Sequence, residues 1–138
     1  MKINELTTFL EAQFPLDFQE DYDNSGLIIG DKNQTISSVL LCFDITEDIV
    51  DEAIEKQCNL IISHHPIIFS GLKKITGKNY VERIVIKAIQ NNIAIYSAHT
   101  NLDSAQGGIN TKICEKIGLS NCKVLSPKTD FLKKIVTF

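Results

Sequence analysis

Short apolar segments alternate with amphipathic segments along the middle of this sequence, and this alternation constrains the fold more than any other feature. Residues 36–43, 60–63 and 93–98 are short, apolar runs, which are typical of buried strands. The segments between them have helical periodicity, clearest at Val81, Ile84, Val85, Ala88 and Ile89. Because neighbouring parallel strands need crossover connections, the repeated strand-helix-strand pattern predicts an α/β fold with a parallel or mostly parallel sheet flanked by helices.

Three further helices are predicted around these strands. Residues 3–14 carry apolar side chains at near-helical spacing, and Pro15 ends that run. Thr46, followed by two acidic residues, is a typical helix start. A last helix over residues 109–117 is closed by Gly118.

The length of 138 residues corresponds to one domain of ordinary size, so residues 1–138 are predicted to form a single α/β domain. Residues 131–138 have strand character, with no turn or further partner strand after them. We therefore expect them either to add to an existing sheet edge or to begin an inserted or following domain. In the second case the chain is the N-terminal part of a longer one.

Composition argues against several classes of partner. The formal net charge is −3, and the 14 basic residues are dispersed along the chain, whereas nucleic-acid binding usually needs a concentrated positive face. No apolar run approaches the roughly 18 residues of a membrane span, and the N-terminus is too polar for a signal peptide. We expect a cytoplasmic protein with neither nucleic acid nor membrane as partner. The four cysteines form no C-x-x-C pair and are expected to be reduced, packed thiols.

All three histidines of the chain follow predicted strands. His64 and His65 follow the second strand, and His99 follows the third, with Asp103 four residues later. Asp44 follows the first strand. Because ligands of open parallel sheets bind beyond the carboxyl ends of the strands, the sequence predicts a metal site at this edge.

The chemistry of these residues favours divalent metal ions. Adjacent His64 and His65 in an irregular turn can point to different sides and so serve two ions about 3.5–4 Å apart. Pro66 stiffens the turn, and the Asp103 carboxylate can bridge or ligate. Imidazole with carboxylate suits Zn, Mn, Fe or Co without distinguishing among them. We predict His64, His65 and Asp103 as ligands, with two ions in a complete site.

Simpler interpretations of the same residues are also open. The His64-His65-Pro66 segment is compatible with a hydrogen-bonded surface turn, Asp103 with an N-cap of the following helix, and Asp44 with an ordinary loop residue. His99 can donate a hydrogen bond from outside the ligand shell or transfer a proton without contacting metal.

Three motifs in this order resemble one known family. They are Asp23-Asn24-Ser25-Gly26-Leu27 with Gly30, Leu60-Ile61-Ile62-Ser63-His64-His65-Pro66, and His99-Thr100-Asn101-Leu102-Asp103 with Gly107-Gly108-Ile109-Asn110. Together they resemble the GTP cyclohydrolase 1 type 2 homologue family, also called Nif-three-like or YbgI-like proteins. The resemblance covers most of residues 1–120.

The resemblance implies a dinuclear metal site with ligands at His64, His65 and Asp103, in proteins that assemble as homohexamers. In that family the remaining ligands are a histidine and a glutamate four residues later, near the C-terminus of a much longer chain, and this sequence contains no H-x-x-x-E. The implied activity is metal-dependent hydrolysis of a small molecule or nucleotide. Water would attack an activated carbon, such as purine C8 with loss of formate if the substrate is GTP, and Asn24 would line the site.

Two other functions fit the same residues. One is a non-catalytic metal-binding or scaffold protein whose ring assembly is its function. The other is a metal-dependent phosphoesterase, because two-metal sites with these ligand types also serve phosphoryl chemistry.

Overall fold

The structure of the protein, a computed structural model, describes residues 1–124. Nine regular elements follow one another in this range, with a 3-10 turn at Leu16–Phe18 after the first helix. In chain order they are α1 (Ile3–Gln13), β1 (Gly26–Ile29), β2 (Val39–Cys42), α2 (Glu47–Glu55), β3 (Leu60–Ser63), α3 (Tyr80–Gln90), β4 (Ala94–Ser97), α4 (Thr100–Ser104) and α5 (Ile109–Lys116).

The four strands form one sheet in the order β1-β4-β3-β2. Strands β2, β3 and β4 are parallel, and their last residues Cys42, Ser63 and Ser97 pair at the same level. Strand β1 is antiparallel to β4, with a register irregularity between Leu27 and Ile29. The predicted α/β fold with a mostly parallel sheet is confirmed. The antiparallel edge strand was not predicted, because the short apolar run at residues 27–29 gave no indication of a strand or of its direction.

Helices cover both faces of the sheet. Successive strand residues point to opposite sides, so each face has a core of its own. Helices α2 and α3 pack on one face, where the core includes Val50, Ala53, Ile61, Ile84, Val85, Ala88 and Ile95. Helix α1 packs on the other face, where Ile3 contacts a smaller core of Leu60, Ala94 and Tyr96. Beyond the carboxyl ends of the parallel strands lie the loops that follow β2, β3 and β4.

The predicted helices are present, with differences at their ends. In α3 the expected core positions Ile84, Val85 and Ala88 are buried, but Ile89 is 57% exposed and does not belong to the core face. Helix α5 ends at Lys116, and Ile117, expected inside it, is the exposed C-cap. Apolar periodicity alone therefore overestimates the buried face at the C-terminal ends of α3 and α5.

All four cysteines are free, as predicted. Cys58 is buried, and Cys42 and Cys114 are half-buried. Cys122 is exposed, so the expectation that every thiol is packed is wrong at this position.

Residues 131–138, for which a strand was predicted, lie outside the described residues. Within residues 1–124 no helix is long and apolar enough to cross a membrane.

Gly108 lies at the close approach of α4 and α5, and a methyl group there is expected to destabilise the fold. A Cβ atom at this position would lie 1.9 Å from the carbonyl oxygen of Leu102 and 3.0 Å from that of Ala105. We expect Gly108→Ala to lower the free energy of unfolding by about 1–3 kcal/mol, because the clash is with backbone that cannot rotate away. Thermal denaturation measures the loss. Gly71→Ala is the control, since a Cβ there meets nothing within 4 Å, and equal stability of both variants would contradict the prediction.

Candidate metal centre

The carboxyl ends of the parallel strands hold the loops that carry the histidines. The buried hydroxyls of Ser63 and Ser97 lie 3.0 Å apart and join β3 to β4 at their last residues. The Ser63 hydroxyl donates to the carbonyl oxygen of His65 at 2.9 Å, so it also shapes the turn that follows β3. The backbone N–H of His65 donates to the carbonyl oxygen of Phe43 at 3.0 Å, which ties this turn to the end of β2.

These loops bring the three histidines into one cluster. A ring nitrogen of each of His64, His65 and His99 lies within 4.8 Å of the others. The ring centroids are 4.9 Å apart for His64 and His65, 5.1 Å for His64 and His99, and 5.3 Å for His65 and His99. The side chains of His64 and His99 are mostly buried, at 12% and 15% exposed, whereas that of His65 is 44% exposed. The cluster is therefore open to solvent on the His65 side.

Every histidine of the cluster has its Nδ1 atom hydrogen-bonded to an oxygen. The acceptors are the carbonyl oxygen of Ala98 for His64 at 2.9 Å, Oδ1 of Asp44 for His65 at 2.7 Å, and Oδ1 of Asp23 for His99 at 2.8 Å. Since carbonyl and carboxylate oxygens only accept, Nδ1 is the donor in each of these three hydrogen bonds. The Nε2 lone pairs are left for another partner. Metal-binding histidines in proteins are oriented in this way.

Asp103 lies in α4, beside this cluster. Its Oδ1 is 3.9 Å from Nε2 of His64, and its backbone N–H donates to the carbonyl oxygen of His99 at 3.1 Å. The alternative that Asp103 caps the following helix is wrong, because Gly108 is the N-cap of α5. Four donors of the types that Zn, Mn, Fe and Co accept, three imidazoles and one carboxylate, thus meet at this edge.

Asp23 is the functional residue that sequence reasoning missed. Its side chain is fully buried, and it accepts hydrogen bonds from Nδ1 of His99, from the backbone N–H and the hydroxyl of Thr100, from the backbone N–H of Asn24 and from the hydroxyl of Ser25. Burial raises the pKa of Asp23, but the hydrogen bonds from His99, Thr100 and Asn24 outweigh it and hold that pKa well below its usual range. Asp23 is therefore a buried carboxylate anion that fixes His99.

Asn24 joins two of the loops around the cluster. Its amide nitrogen donates to the carbonyl oxygen of Ile68 at 2.7 Å, which joins the loop before β1 to the loop after β3. Fully buried Asn101 also holds His99 in place, because its Oδ1 accepts from the His99 backbone N–H while its amide donates to the carbonyl oxygen of Phe14. These contacts make the surroundings of the histidines rigid.

The thiol of Cys42, at the end of β2, stays protonated at neutral pH. Burial, with a further contribution from the negative charge of Asp44, raises the pKa of Cys42 to about 11. Among the described residues, Cys42 is not part of the group of side chains that could hold an ion.

Comparison with known proteins identifies the family. The model of the family described as Duf34/NIF3 (NGG1p interacting factor 3) matches residues 1–138, which is the whole chain. The chain belongs to the DUF34/NIF3 family. This finding confirms the resemblance seen in the three sequence motifs.

Relatives of this DUF34/NIF3 chain carry the same name as the family suspected from the sequence. The chain is 40% identical over 134 residues to the GTP cyclohydrolase 1 type 2 homolog of Clostridium acetobutylicum, covering 97% of this chain and 50% of that protein. It is 41% identical over 138 residues to the protein of that name from Staphylococcus epidermidis, covering 100% of this chain and 37% of that protein. The chain thus spans half the length of these relatives or less.

A solved structure shares the fold. The Bacillus cereus protein related to NIF3 superposes with a TM-score of 0.86 at 42% sequence identity, covering 93% of this chain and 36% of that chain. The DUF34/NIF3 assignment therefore rests on sequence and on structure.

Replacing Asp23 is expected to weaken metal binding through His99. In Asp23→Asn one carboxylate oxygen is replaced by an amide nitrogen, which can only donate. It would therefore face the N–H group of Thr100 or of the His99 ring without forming a hydrogen bond, and the His99 ring loses its fixed orientation. We expect the affinity for Zn²⁺ to fall by about 10- to 100-fold, as for other partners that orient metal-binding histidines. Competition with a chromophoric chelator measures it. Asp31→Asn, in an exposed turn, is the control. Unchanged affinity of Asp23→Asn for Zn²⁺ would contradict metal binding by His99 and favour its alternative role in proton transfer.

Proposed function

We propose that this chain forms a divalent-metal centre of a metal-dependent hydrolase. His64, His65 and Asp103 are the proposed ligands, and His99 faces the same space as a third imidazole. The observation that carries the proposal is the orientation of the three rings, each with Nδ1 bonded to an oxygen and Nε2 not used by that bond. A polar surface turn does not require three such rings with nitrogens within 4.8 Å of one another.

A divalent ion held by these residues supplies the Lewis acidity with which metallohydrolases activate water. The residues of the chain bind and orient. Asp44 and Asp23 fix the rings of His65 and His99, and the mostly buried His99 keeps its Nδ1 against Asp23. The open side of the cluster, at His65, is the approach for a small-molecule or nucleotide substrate.

A complete site with two ions is part of the proposal. The proposed ligands His64, His65 and Asp103 would give one ion three protein donors and leave a position for water. Two ions need further donors, supplied by a longer chain or by a neighbouring subunit. Cytoplasmic localisation and assembly as a homohexamer also belong to the proposal, with the family resemblance as their support. Light scattering tests the assembly as a particle of about six times 15.4 kDa.

The test begins with metal stoichiometry. The 138-residue chain is incubated with Zn²⁺, Mn²⁺, Fe²⁺ or Co²⁺, desalted and subjected to elemental analysis, with chelator-treated protein beside it. We expect close to one tightly held ion per chain. Absence of retained metal under all four conditions would overturn the proposal for this chain.

Turnover by the loaded protein then separates the functions. Release of formate from GTP supports the cyclohydrolase-like hydrolase, and release of phosphate from nucleotides or phosphoesters supports a phosphoesterase. Stoichiometric metal without hydrolysis of either kind would contradict the hydrolase and leave a metal-binding or scaffold protein. Each measurement is repeated after chelation, because a metal-dependent reaction must stop when the ion is removed.

A further inference from the structure

Three exposed aromatic side chains border the histidine cluster. Phe43 is 60% exposed, Phe69 is 51% exposed and Tyr22 is 65% exposed. They come from three different loops, after β2, after β3 and before β1. We call these three residues the aromatic rim. Single exposed aromatic residues are ordinary on protein surfaces, but several around one polar cluster are a feature of ligand sites.

Two members of the aromatic rim, Phe43 and Phe69, contact the histidines. The Phe43 ring stacks on His64 with centroids 4.9 Å apart and an interplanar angle of 26°, and it meets His65 edge-on at 4.6 Å. Phe69 approaches His99 edge-on at 6.3 Å, and Tyr22 lies 6.1 Å from Phe69. The ring contacts therefore run from Phe43 through the histidines to Phe69. Phe43 lies at the end of the cluster formed by His64 and His65, and Phe69 lies at the end formed by His99.

The loops that carry the rim are held by hydrogen bonds. The Phe43 carbonyl oxygen accepts from the backbone N–H of His65, and the Ile68 carbonyl oxygen, next to Phe69, accepts from the Asn24 amide. Tyr22 adjoins Asp23, which is fixed by its contacts with His99 and Thr100. Aromatic rings on loops fixed in this way lose little conformational entropy when a ligand binds.

Carboxylates and aromatic rings border the histidine cluster. Asp23, Asp44 and Asp103 are each paired with a histidine, and the three side chains of the aromatic rim are exposed beside them. The π face of an exposed aromatic ring is a surface on which another planar ring stacks.

We propose that the aromatic rim binds the planar heteroaromatic ring of the substrate by stacking, beside the histidine cluster. The proposal rests on the proposed function, because it assigns the substrate class of that metal centre. Stacking on an aromatic side chain is tolerant of the identity of the ring, since every such ring has a π face. The polar cluster supplies orientation, and the rim supplies most of the contact area.

The test compares two probes on the zinc-loaded chain. Hypoxanthine is a neutral planar heteroaromatic base, whereas ribose 5-phosphate carries a phosphate and no aromatic ring. Binding is followed by shifts of backbone amide resonances. We expect hypoxanthine to bind at least about tenfold more tightly than ribose 5-phosphate, and Phe43→Ala or Phe69→Ala to weaken hypoxanthine binding by about 5- to 100-fold. Phe9→Ala, 62% exposed on α1, is the matched control and should change neither affinity.

Elemental analysis of the same samples separates this proposal from the metal centre. Zinc content is measured for Phe43→Ala, Phe69→Ala and the parent chain, and hypoxanthine affinities are compared at equal zinc occupancy, because Phe43 contacts the rings of His64 and His65. Equal hypoxanthine binding by parent and rim variants, or preference for ribose 5-phosphate, would overturn the rim. The titration is also run without zinc. A chain that retains no zinc but binds hypoxanthine through Phe43 would contradict the metal centre and support the rim.

Discussion

His64→Ala is expected to abolish stoichiometric metal binding by this chain. His64 is the central residue of the site, since its ring lies about 5 Å from those of both other histidines and its Nε2 is 3.9 Å from Asp103. Removing it deletes a ligand rather than the partner of a ligand. Variants of residues that only orient a metal-binding histidine, such as Asp23→Asn, lose up to roughly 100-fold in affinity. We therefore expect the affinity of His64→Ala for Zn²⁺ to fall by more than that. Elemental analysis after desalting measures the loss.

Thermal denaturation with and without zinc distinguishes loss of the ligand from loss of the fold. Zinc at about 100 times its Kd stabilises a protein that binds it only when folded by about 2.7 kcal/mol, which for a chain of this size raises Tm by roughly 10 °C. His64→Ala should lose this increase. Without metal, the Tm of His64→Ala should fall by only a few degrees. The variant loses one hydrogen bond, from Nδ1 of His64 to the carbonyl oxygen of Ala98, and a single hydrogen bond contributes about 1 kcal/mol. Asp51→Asn, which removes a carboxylate paired with Lys87, should keep the full increase. An undiminished zinc response in His64→Ala would refute the centre.

The parts of this site that were predictable from the sequence follow the strand ends. His64 and His65 directly follow the apolar run of β3, and His99 follows that of β4, so their meeting depends only on parallel pairing of two recognisable strands. Parallel pairing could be inferred, because a helical segment with clear periodicity separates the two runs. Local patterns and one topological rule were sufficient.

Asp23 could not be placed by the same reasoning. It is 76 residues from His99 in sequence and reaches it only because β1 runs antiparallel to β4 at the sheet edge. The run at residues 27–29 gives no periodic signal from which its direction could be read. The available signal was the unusual polarity of the loop before β1, within the first family motif. Phe43 and Phe69 were missed because apolar residues beside strands are expected to be buried, and exposure of a side chain is a property of the folded surface.

Gly30→Ala is expected to be strongly destabilising. Gly30 follows β1 with φ +117°, a conformation that L-residues rarely adopt, and a Cβ there would lie 2.5 Å from Cβ and 2.8 Å from Cα of Ala94. The backbone strain and the overlap each cost about 1–3 kcal/mol, so we expect the free energy of unfolding to fall by about 2–6 kcal/mol. Ala94 cannot give way, because it is fully buried in β4 against Ile3 and Leu60. Chemical denaturation measures the difference.

The control separates the two costs. Gly118 has φ +80° but no atom within 4 Å of a built Cβ, so Gly118→Ala reports the conformational cost alone. Gly30→Ala should exceed it by at least about 1 kcal/mol. Since the overlap pushes β1 away from β4, and the loop before β1 carries Asp23, the variant should also weaken zinc binding while Gly118→Ala does not. Equal stabilities of the two variants would show that β1 packs less closely on β4 than in the structure. The position of Asp23 beside His99, which depends on this packing, would then also be in question.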